Sequence, residues 1–259
     1  MSKLSDAFTG RHKLVGFVTA NDPDMATTVN NVVALAEGGA DVVEIGVPFS
    51  DPIADGPVIQ RADLRALRDF DLPMKAIFDA VAEIRTKTAV PLVFLTYLNI
   101  VLQYGYDEFC RDCKKYGVDG LIIPDLPYEE KGELTPYTTK YEIDLVPLIT
   151  LNSGDRIKPI AKDASGFVYL VSSLGVTGER DHFSDQLSSI VKQIKADTTV
   201  PVAIGFGVHE PEQARQLAEF ADGVIIGSAF VKIVEKYKTD APKYLKQFAN
   251  EVKSAMLTD

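Results

Sequence analysis

Two carboxylates, Glu44 and Asp55, flank an abrupt change in the character of the chain. Glu44 lies inside Asp41–Val47, where Val42, Val43, Ile45 and Val47 are apolar and mostly β-branched, so this run reads as a buried strand. A carboxylate in such a strand is costly unless it is paired, protonated or used. Asp55 follows in a loop that carries Pro48, Pro52 and Pro57. Proline fixes φ and removes a donor, so the loop is stiff and continues as neither sheet nor helix. Such a loop can hold a second acid against the first. One acid buried with a raised pKa and one ionised could then divide the work of moving a proton. Asp51, ahead of Pro52, reads as a turn former. Asp125, in Pro124-Asp125-Leu126-Pro127, is open to either a turn or a functional reading.

Glycines mark the far end of the sequence. Gly175-Val176-Thr177-Gly178, Gly205-Phe206-Gly207 and Gly227-Ser228 each follow an apolar run that reads as a strand. Glycine lets backbone amides approach an anion closely. Gly227-Ser228 also opens a helix, whose N-terminal amides and dipole favour negative charge. An amide cradle would let an acidic chain hold a phosphate.

Elements must bring these groups together. After a leading helix in Met1–Gly10, strands are expected at Lys13–Thr19, Asp41–Val47, Pro91–Tyr97, Asp119–Ile123, Ile143–Thr150, Gly166–Val171, Pro201–Ile204 and Asp222–Ile226. Helical spacing fills the intervals: Met25–Glu37 closed by Gly38-Gly39, Gln60–Leu67, a run capped by Asp71 and carrying Met74, Ile77, Phe78, Val81 and Ile84, then Tyr106–Tyr116, Tyr128–Lys140 broken near Pro136, Asp155–Lys162, Gln186–Ala196, Pro211–Phe220 and Ala229–Met256 broken near Pro242. Eight short strands alternating with helices over this length give a single (β/α)8 barrel over residues 1–259, an α/β TIM barrel with a short extra N-terminal helix and a phosphate-binding helix after the eighth strand. A doubly wound open sheet fits less well, because no Gly-rich dinucleotide loop follows the first strand. The longest irregular stretches follow the second and sixth strands, on the face where such barrels carry their sites.

Composition narrows the function further. The chain has 259 residues, 46% hydrophobic and 25% charged, which is globular. A formal charge of −10 argues against a nucleic-acid partner. No apolar run approaches the roughly 20 residues of a membrane span, and Met1–Lys13 lacks the apolar core of a signal peptide; a soluble cytoplasmic protein is expected. Cys110 and Cys113 share a face of a charged helix and read as ordinary half-buried thiols. His12, His182 and His209 have no shared ligand spacing, so no metal site is expected. Two acids and a phosphate cradle on one barrel face suggest proton-transfer chemistry on a phosphorylated small molecule.

From about Phe8 to about Glu235 the sequence resembles the tryptophan synthase alpha chain family. The resemblance is carried by Phe17-Val18-Thr19, by Glu44 through Pro57, by Tyr97-Leu98-Asn99, by Gly120 through Pro127, by Gly166 through Ser172, and by the three glycine segments. It implies a lyase that cleaves indole-3-glycerol phosphate to indole and glyceraldehyde 3-phosphate, with no cofactor in this chain. At the position of Glu44 the family has the acid that protonates indole C3 and accepts the glycerol hydroxyl proton. At the position of Asp55 it has the acid that holds the indole N–H. The implied phosphate contacts are Gly178, Gly207, Gly227 and Ser228, with Phe206 beside them. The implied indole slot includes Phe17, Leu95 and Tyr169, the last placed to touch Glu44, and Thr177 lies in a closing loop that meets Asp55. The implied partner is a pyridoxal-phosphate beta chain in an alpha-beta-beta-alpha assembly. It receives indole through a tunnel and contacts the Glu44–Pro57, Tyr97–Asn99 and Asp125–Pro127 loops. Asn21 stands where the family usually has glycine; Gly16, Ile149–Gly154, Ser173-Leu174 and Glu179-Arg180 also depart from its pattern, and none removes an implied proton-transfer or phosphate group. An indoleglycerol-phosphate synthase would need a catalytic lysine in the barrel mouth, and the apolar strands offer only Lys13, at a strand entry. A regulatory subunit without chemistry and a free-standing indole-releasing lyase are the remaining alternatives; the intact acids disfavour the first.

Overall fold

The computed structural model describes residues 2–68, 72–172, 180–205 and 207–258, with side chains of 180–184 excepted. In chain order the elements are α1 (Lys3–Ala7), β1 (Lys13–Thr19), α2 (Met25–Glu37), β2 (Val42–Gly46), α3 (Pro57–Ala66), α4 (Met74–Arg85), β3 (Leu92–Leu95), α5 (Leu98–Tyr104), α6 (Tyr106–Tyr116), β4 (Gly120–Ile122), α7 (Thr135–Lys140), β5 (Asp144–Leu145), β6 (Leu148–Thr150), α8 (Ile157–Lys162), β7 (Val168–Val171), α9 (Arg180–Asp197), β8 (Val202–Gly205), α10 (Pro211–Ala218), β9 (Gly223–Ile226), α11 (Ser228–Tyr237) and α12 (Ala241–Met256). The strands run in the order β5-β4-β3-β2-β1-β9-β8-β7-β6, and neighbours in that order pair in parallel. β5 and β6 sit at opposite ends of that order yet are consecutive in the chain. The Val146 amide donates to Leu121 on one side, and the Pro147 carbonyl accepts from Tyr169 on the other. They are therefore the two halves of one barrel strand, and the chain through Val146-Pro147 closes the ring. Pro147, without an N–H, sits where the ladder changes partner. This is the expected eight-stranded (β/α)8 barrel, with its fifth strand split.

Strand alternation sorts the core. Leu14, Val18, Val43, Ile45, Phe94 and Leu121 face outward into the helix layer, with Val32, Leu35, Phe78 and Phe230. Val15, Val42, Val93, Ile122, Val146, Phe167, Ala203 and Ile225 face inward and fill the barrel. At the N-terminal end of the strands α1 plugs the interior: Leu4 is fully buried, and Phe8 lies against Phe167 with ring centroids 5.2 Å apart. Each such side chain contributes roughly 2 kcal/mol of burial free energy. The plug needs Gly120, where a Cβ would come within 2.6 Å of Leu4. On the outside, α2 starts where Asp24 accepts the Thr27 amide at 2.7 Å. It ends at Gly38, where a Cβ would meet Ala249 and the Lys246 carbonyl at 2.7 Å, so α12 lies directly over that end.

Several expectations need correction. The leading helix is shorter than Met1–Gly10. The helix expected from Gln60 begins at Pro57, because proline suits a first helical position whose N–H has no acceptor. Tyr97-Leu98-Asn99 opens a helix, α5, in a stretch read as loop; the Asp125 carboxylate accepts the Leu98 amide at 2.9 Å and supplies a cap from a different loop. Asp125 thus acts as a structural cap. The helix expected from Gln186 begins at Arg180, inside the supposed loop. Asp71, read as a cap, lies outside the described residues, and Pro73 is the N-cap of α4. Cys110 and Cys113 are fully buried rather than half-buried, and burial pushes the Cys110 thiol up to about 12.

Candidate active site

The C-terminal ends of β1, β2, β3, β7 and β8 form the mouth. Phe17 on β1, Glu44 on β2 and Val93 on β3 are register partners and share one inward layer. Glu44 is 1% exposed, and its Oε1 has no hydrogen-bond partner among the described residues. Desolvation alone pushes its carboxyl up to about 8, so it carries its proton at neutral pH. Phe17, 4% exposed, lies across the end of β2. A Cβ at Gly46 would come within 2.5 Å of its ring, so only glycine lets the ring occupy that place. Across the mouth, Tyr169 on β7 is accommodated in the same way by Gly205 on β8, where a Cβ would be 2.6 Å from the phenol oxygen. Burial, then the charges of Glu44 and Asp55, raise the Tyr169 phenol. Leu95, part-buried, belongs with Phe17 to a small apolar cluster that also includes Val58, Ile59, Ala62 and Val231.

Asp55 precedes Gly56, the N-cap of α3. Its Oδ2 accepts the Tyr97 hydroxyl at 2.7 Å, and the Tyr97 oxygen in turn accepts the Ala54 amide at 3.0 Å. Phe49 stacks on the Tyr97 ring at 4.9 Å, so the loop folds around that side chain. Burial raises the Asp55 carboxyl and the Tyr97 bond pulls it back. Behind it, Asp63 on α3 is 6% exposed; burial, then the charges of Asp55 and Asp22, push it up to about 8. Near neutral pH Asp63 therefore keeps its proton, which removes a like charge from beside Asp55. Asp51 accepts the exposed Ser50 hydroxyl, as a turn residue would.

At the phosphate end, Gly227 is the N-cap of α11 and Ser228 its first residue. The first-turn amides of a helix have no acceptor within it, so they are available to an anion. Gly207 has φ 88, a conformation that favours glycine, and its carbonyl lies 2.7 Å from His209 Nδ1. Thr177, Gly178 and Phe206 lie outside the described residues. Among the described residues no group of three or more His, Cys, Asp or Glu is arranged to hold a metal ion.

The structure thus brings Glu44, Asp55, Phe17, Leu95 and Tyr169 to one mouth, with Gly207, Gly227 and Ser228 on the neighbouring strand ends. Sequence reasoning did not single out Tyr97 as the partner of Asp55, nor Gly46 and Gly205 as the spaces that admit two rings. Tyr97 carried a usable signal: it ends an apolar strand run on the face already assigned to the site. A cavity of about 840 Å³ lies outside the mouth, lined by Val47, Phe49, Asp63, Leu72, Asn99 and Tyr104.

A parallel eight-stranded barrel with a protonated buried acid, a second acid on the following loop and an apolar slot is the framework of a barrel lyase working by proton transfer. Comparison with known proteins makes the class specific. The tryptophan synthase alpha chain profile matches residues 4–257. The alpha chain of Lacticaseibacillus casei is 57% identical over 256 residues, covering 99% of this chain and 96% of that one. That of Lactiplantibacillus plantarum is 50% identical over 257 residues, covering 99% and 97%. Among solved structures, the tryptophan synthase alpha subunit of Legionella pneumophila superposes with a TM-score of 0.88 at 32% identity, covering 99% of this chain and 98% of that one. A chain of Mycobacterium tuberculosis tryptophan synthase gives 0.89 at 34% identity, covering 100% and 99%. The chain belongs to the tryptophan synthase alpha chain family, the carbon–carbon lyases that cleave indole-3-glycerol phosphate in tryptophan biosynthesis and assemble with a beta chain.

Proposed function

We propose that this chain cleaves indole-3-glycerol phosphate to indole and glyceraldehyde 3-phosphate, with Glu44 and Asp55 as its catalytic residues. The observation that carries the reading is the placement of the two carboxyls: Glu44 is buried within β2 and raised to about 8 by burial alone, and Asp55 sits on the loop that follows, bonded to the Tyr97 hydroxyl. Glu44 gives its proton to indole C3. The ring becomes a cationic indolenine, whose N–H faces the Asp55 carboxylate. The C3–C bond to the glycerol phosphate chain then breaks and its electron pair restores the indole. The adjacent hydroxyl loses its proton to Glu44 as its carbon becomes the aldehyde, so Glu44 ends as it began. The protonated ring is the electron sink, and the step asks for no cofactor from this chain; pyridoxal phosphate belongs to the beta chain.

Phe17, Leu95 and Tyr169 supply the apolar slot, with Thr177 and Phe206 assigned to it from the resemblance. Gly207, Gly227 and Ser228, with Gly178, supply the phosphate amides. Gly207→Val is expected to raise KM about tenfold or more, because a β-branched side chain disfavours φ 88 and crowds the anion. Unchanged KM would move the anion site elsewhere. The beta chain is read onto the loops at Glu44–Pro57, Tyr97–Asn99 and Asp125–Pro127. Ile53, Leu64 and Leu102, exposed at 84%, 71% and 58%, lie on the loop and helices bordering the outer cavity there. An alpha-beta-beta-alpha assembly with indole passing directly between sites follows from this reading. So does one barrel domain over the whole chain, supported by a single sheet whose strands run from Lys13 to Ile226. Among the described residues no helix is long and apolar enough to cross a membrane, which accords with a cytoplasmic protein.

Indole release from indole-3-glycerol phosphate, by the purified chain alone and with its beta chain, tests the function. Slow release that rises strongly with the partner is expected. Fast release alone would identify a free-standing lyase, and no release in either setting would identify a regulatory subunit.

A further inference from the structure

The slot, the acid loop and the phosphate helix are joined by an ionic clamp that the chemistry does not itself require. Arg65 on α3 makes a bidentate pair with Asp22 at 2.9 and 2.8 Å, and also reaches Glu235 on α11 at 3.0 Å. Arg61, one turn earlier on α3, makes its own bidentate pair with Glu235 at 2.9 and 3.1 Å and donates to the Pro57 carbonyl at 3.2 Å. Asp22 is only 2% exposed, so this carboxylate is held where its solvation is poor and its partner matters. Asn21 adds a bond from its side chain to the Ala66 carbonyl at the other end of α3, at 2.8 Å. Beneath the clamp, Val58, Ile59 and Ala62 of α3 pack with Val231 of α11 around Phe17. α3 is therefore fixed to α11 by apolar contact from its first turns and by charge from Arg61 and Arg65 further along. Gln60 closes the chain of contacts by donating to the Asp55 carbonyl at 2.8 Å.

We propose that Arg61, Arg65 and Glu235 are positioning residues that make α3 and α11 move as one body, so that phosphate binding at the start of α11 sets the place of Asp55 ahead of α3. This rests on the phosphate reading of Gly227 and Ser228 given above. Binding energy from the unreactive phosphate is then expressed as order at the reacting end, which is the way remote contacts raise kcat rather than merely lower KM.

The clamp is tested in the full chain with glycerol 3-phosphate as the probe, by amide exchange over residues 52–57 and 226–230, alongside indole release kinetics. In the unaltered protein the probe is expected to slow exchange in both segments. In Glu235→Ala it is expected to slow exchange only at 226–230, with kcat down about tenfold and KM changed by less than about threefold. Glu235→Gln, which keeps one acceptor, is expected to fall between the two. Glu235 is 34% exposed on a helix, and a melting curve close to that of the unaltered protein separates positioning from loss of fold. Retained protection of 52–57 and an unchanged kcat in Glu235→Ala would overturn the coupling alone. Failure of the probe to protect 226–230 in the unaltered protein would overturn the phosphate reading, and the coupling with it.

Discussion

Glu44→Gln is expected to stop indole release and, at the same time, to make the chain harder to unfold. Loss of a general acid that also takes the proton back removes on the order of 10³-fold in rate. Glutamine has the shape of the protonated acid, so binding of the phosphorylated substrate is expected to persist. The stability change follows from the sign of the shift. The Glu44 carboxyl goes from 4.5 when solvated to about 8 when folded. Below 4.5 both states hold the proton and no penalty exists. Between the two values the unfolded chain ionises while the folded chain does not, so stability falls steadily as pH rises and levels off above about 8. At pH 7 the accumulated penalty is about 3 kcal/mol, and glutamine abolishes it. Melting curves at pH 4 and pH 8 check this: the two proteins should nearly coincide at the lower pH and separate at the higher, with the variant melting later. Cleavage near the unaltered rate would remove Glu44 from the mechanism. Coincident curves at pH 8 would mean that the carboxylate finds a partner in the folded chain.

The second large effect is expected from Asp55→Asn. Asparagine still accepts the Tyr97 hydroxyl, so the loop keeps its fold while the charge is lost. The cationic indolenine then forms without its counter-charge, and kcat should fall about 10²-fold with KM little changed. The pH profile is the sharper readout. With Glu44 required as an acid and Asp55 as an anion, the unaltered enzyme should show an alkaline limb near 8 and an acidic limb above the ordinary carboxylate range. Asp55→Asn should lose the acidic limb and keep the alkaline one. An acidic limb that survives belongs to another group, and Asp63, raised to about 8 beside Asp55, would be the first to examine.

What was legible in the sequence was whatever a local pattern encodes. Alternating apolar runs located the strands, and the eight-unit count gave the barrel. An acid inside a β-branched run drew attention to Glu44, and it is indeed buried without a protein partner among the described residues. Contacts between distant segments were not legible. The cap of α5 comes from Asp125 on another loop, so Leu98–Tyr104 has no start signal of its own and was read as loop. The split of the fifth strand is a change of neighbour, visible only once the ring is closed. Asp22 and Asp24 both stand just ahead of the helix from Met25; Asp24 is its cap, and Asp22 turns to Arg65 instead. Gly46 lies inside an expected strand and Gly205 just after one, and neither position signals the ring that it admits from a neighbouring strand.

The helix that closes the lower end of the barrel also governs traffic. With Leu4, Phe8 and Phe167 packed into that end, the barrel interior is closed there, and Glu44 and Tyr169 lie toward the opposite strand ends. A substrate bound to Glu44 as proposed would therefore have to come in from those strand ends. A beta chain seated on the loops at that end, as proposed, would then border the way in as well as receive indole.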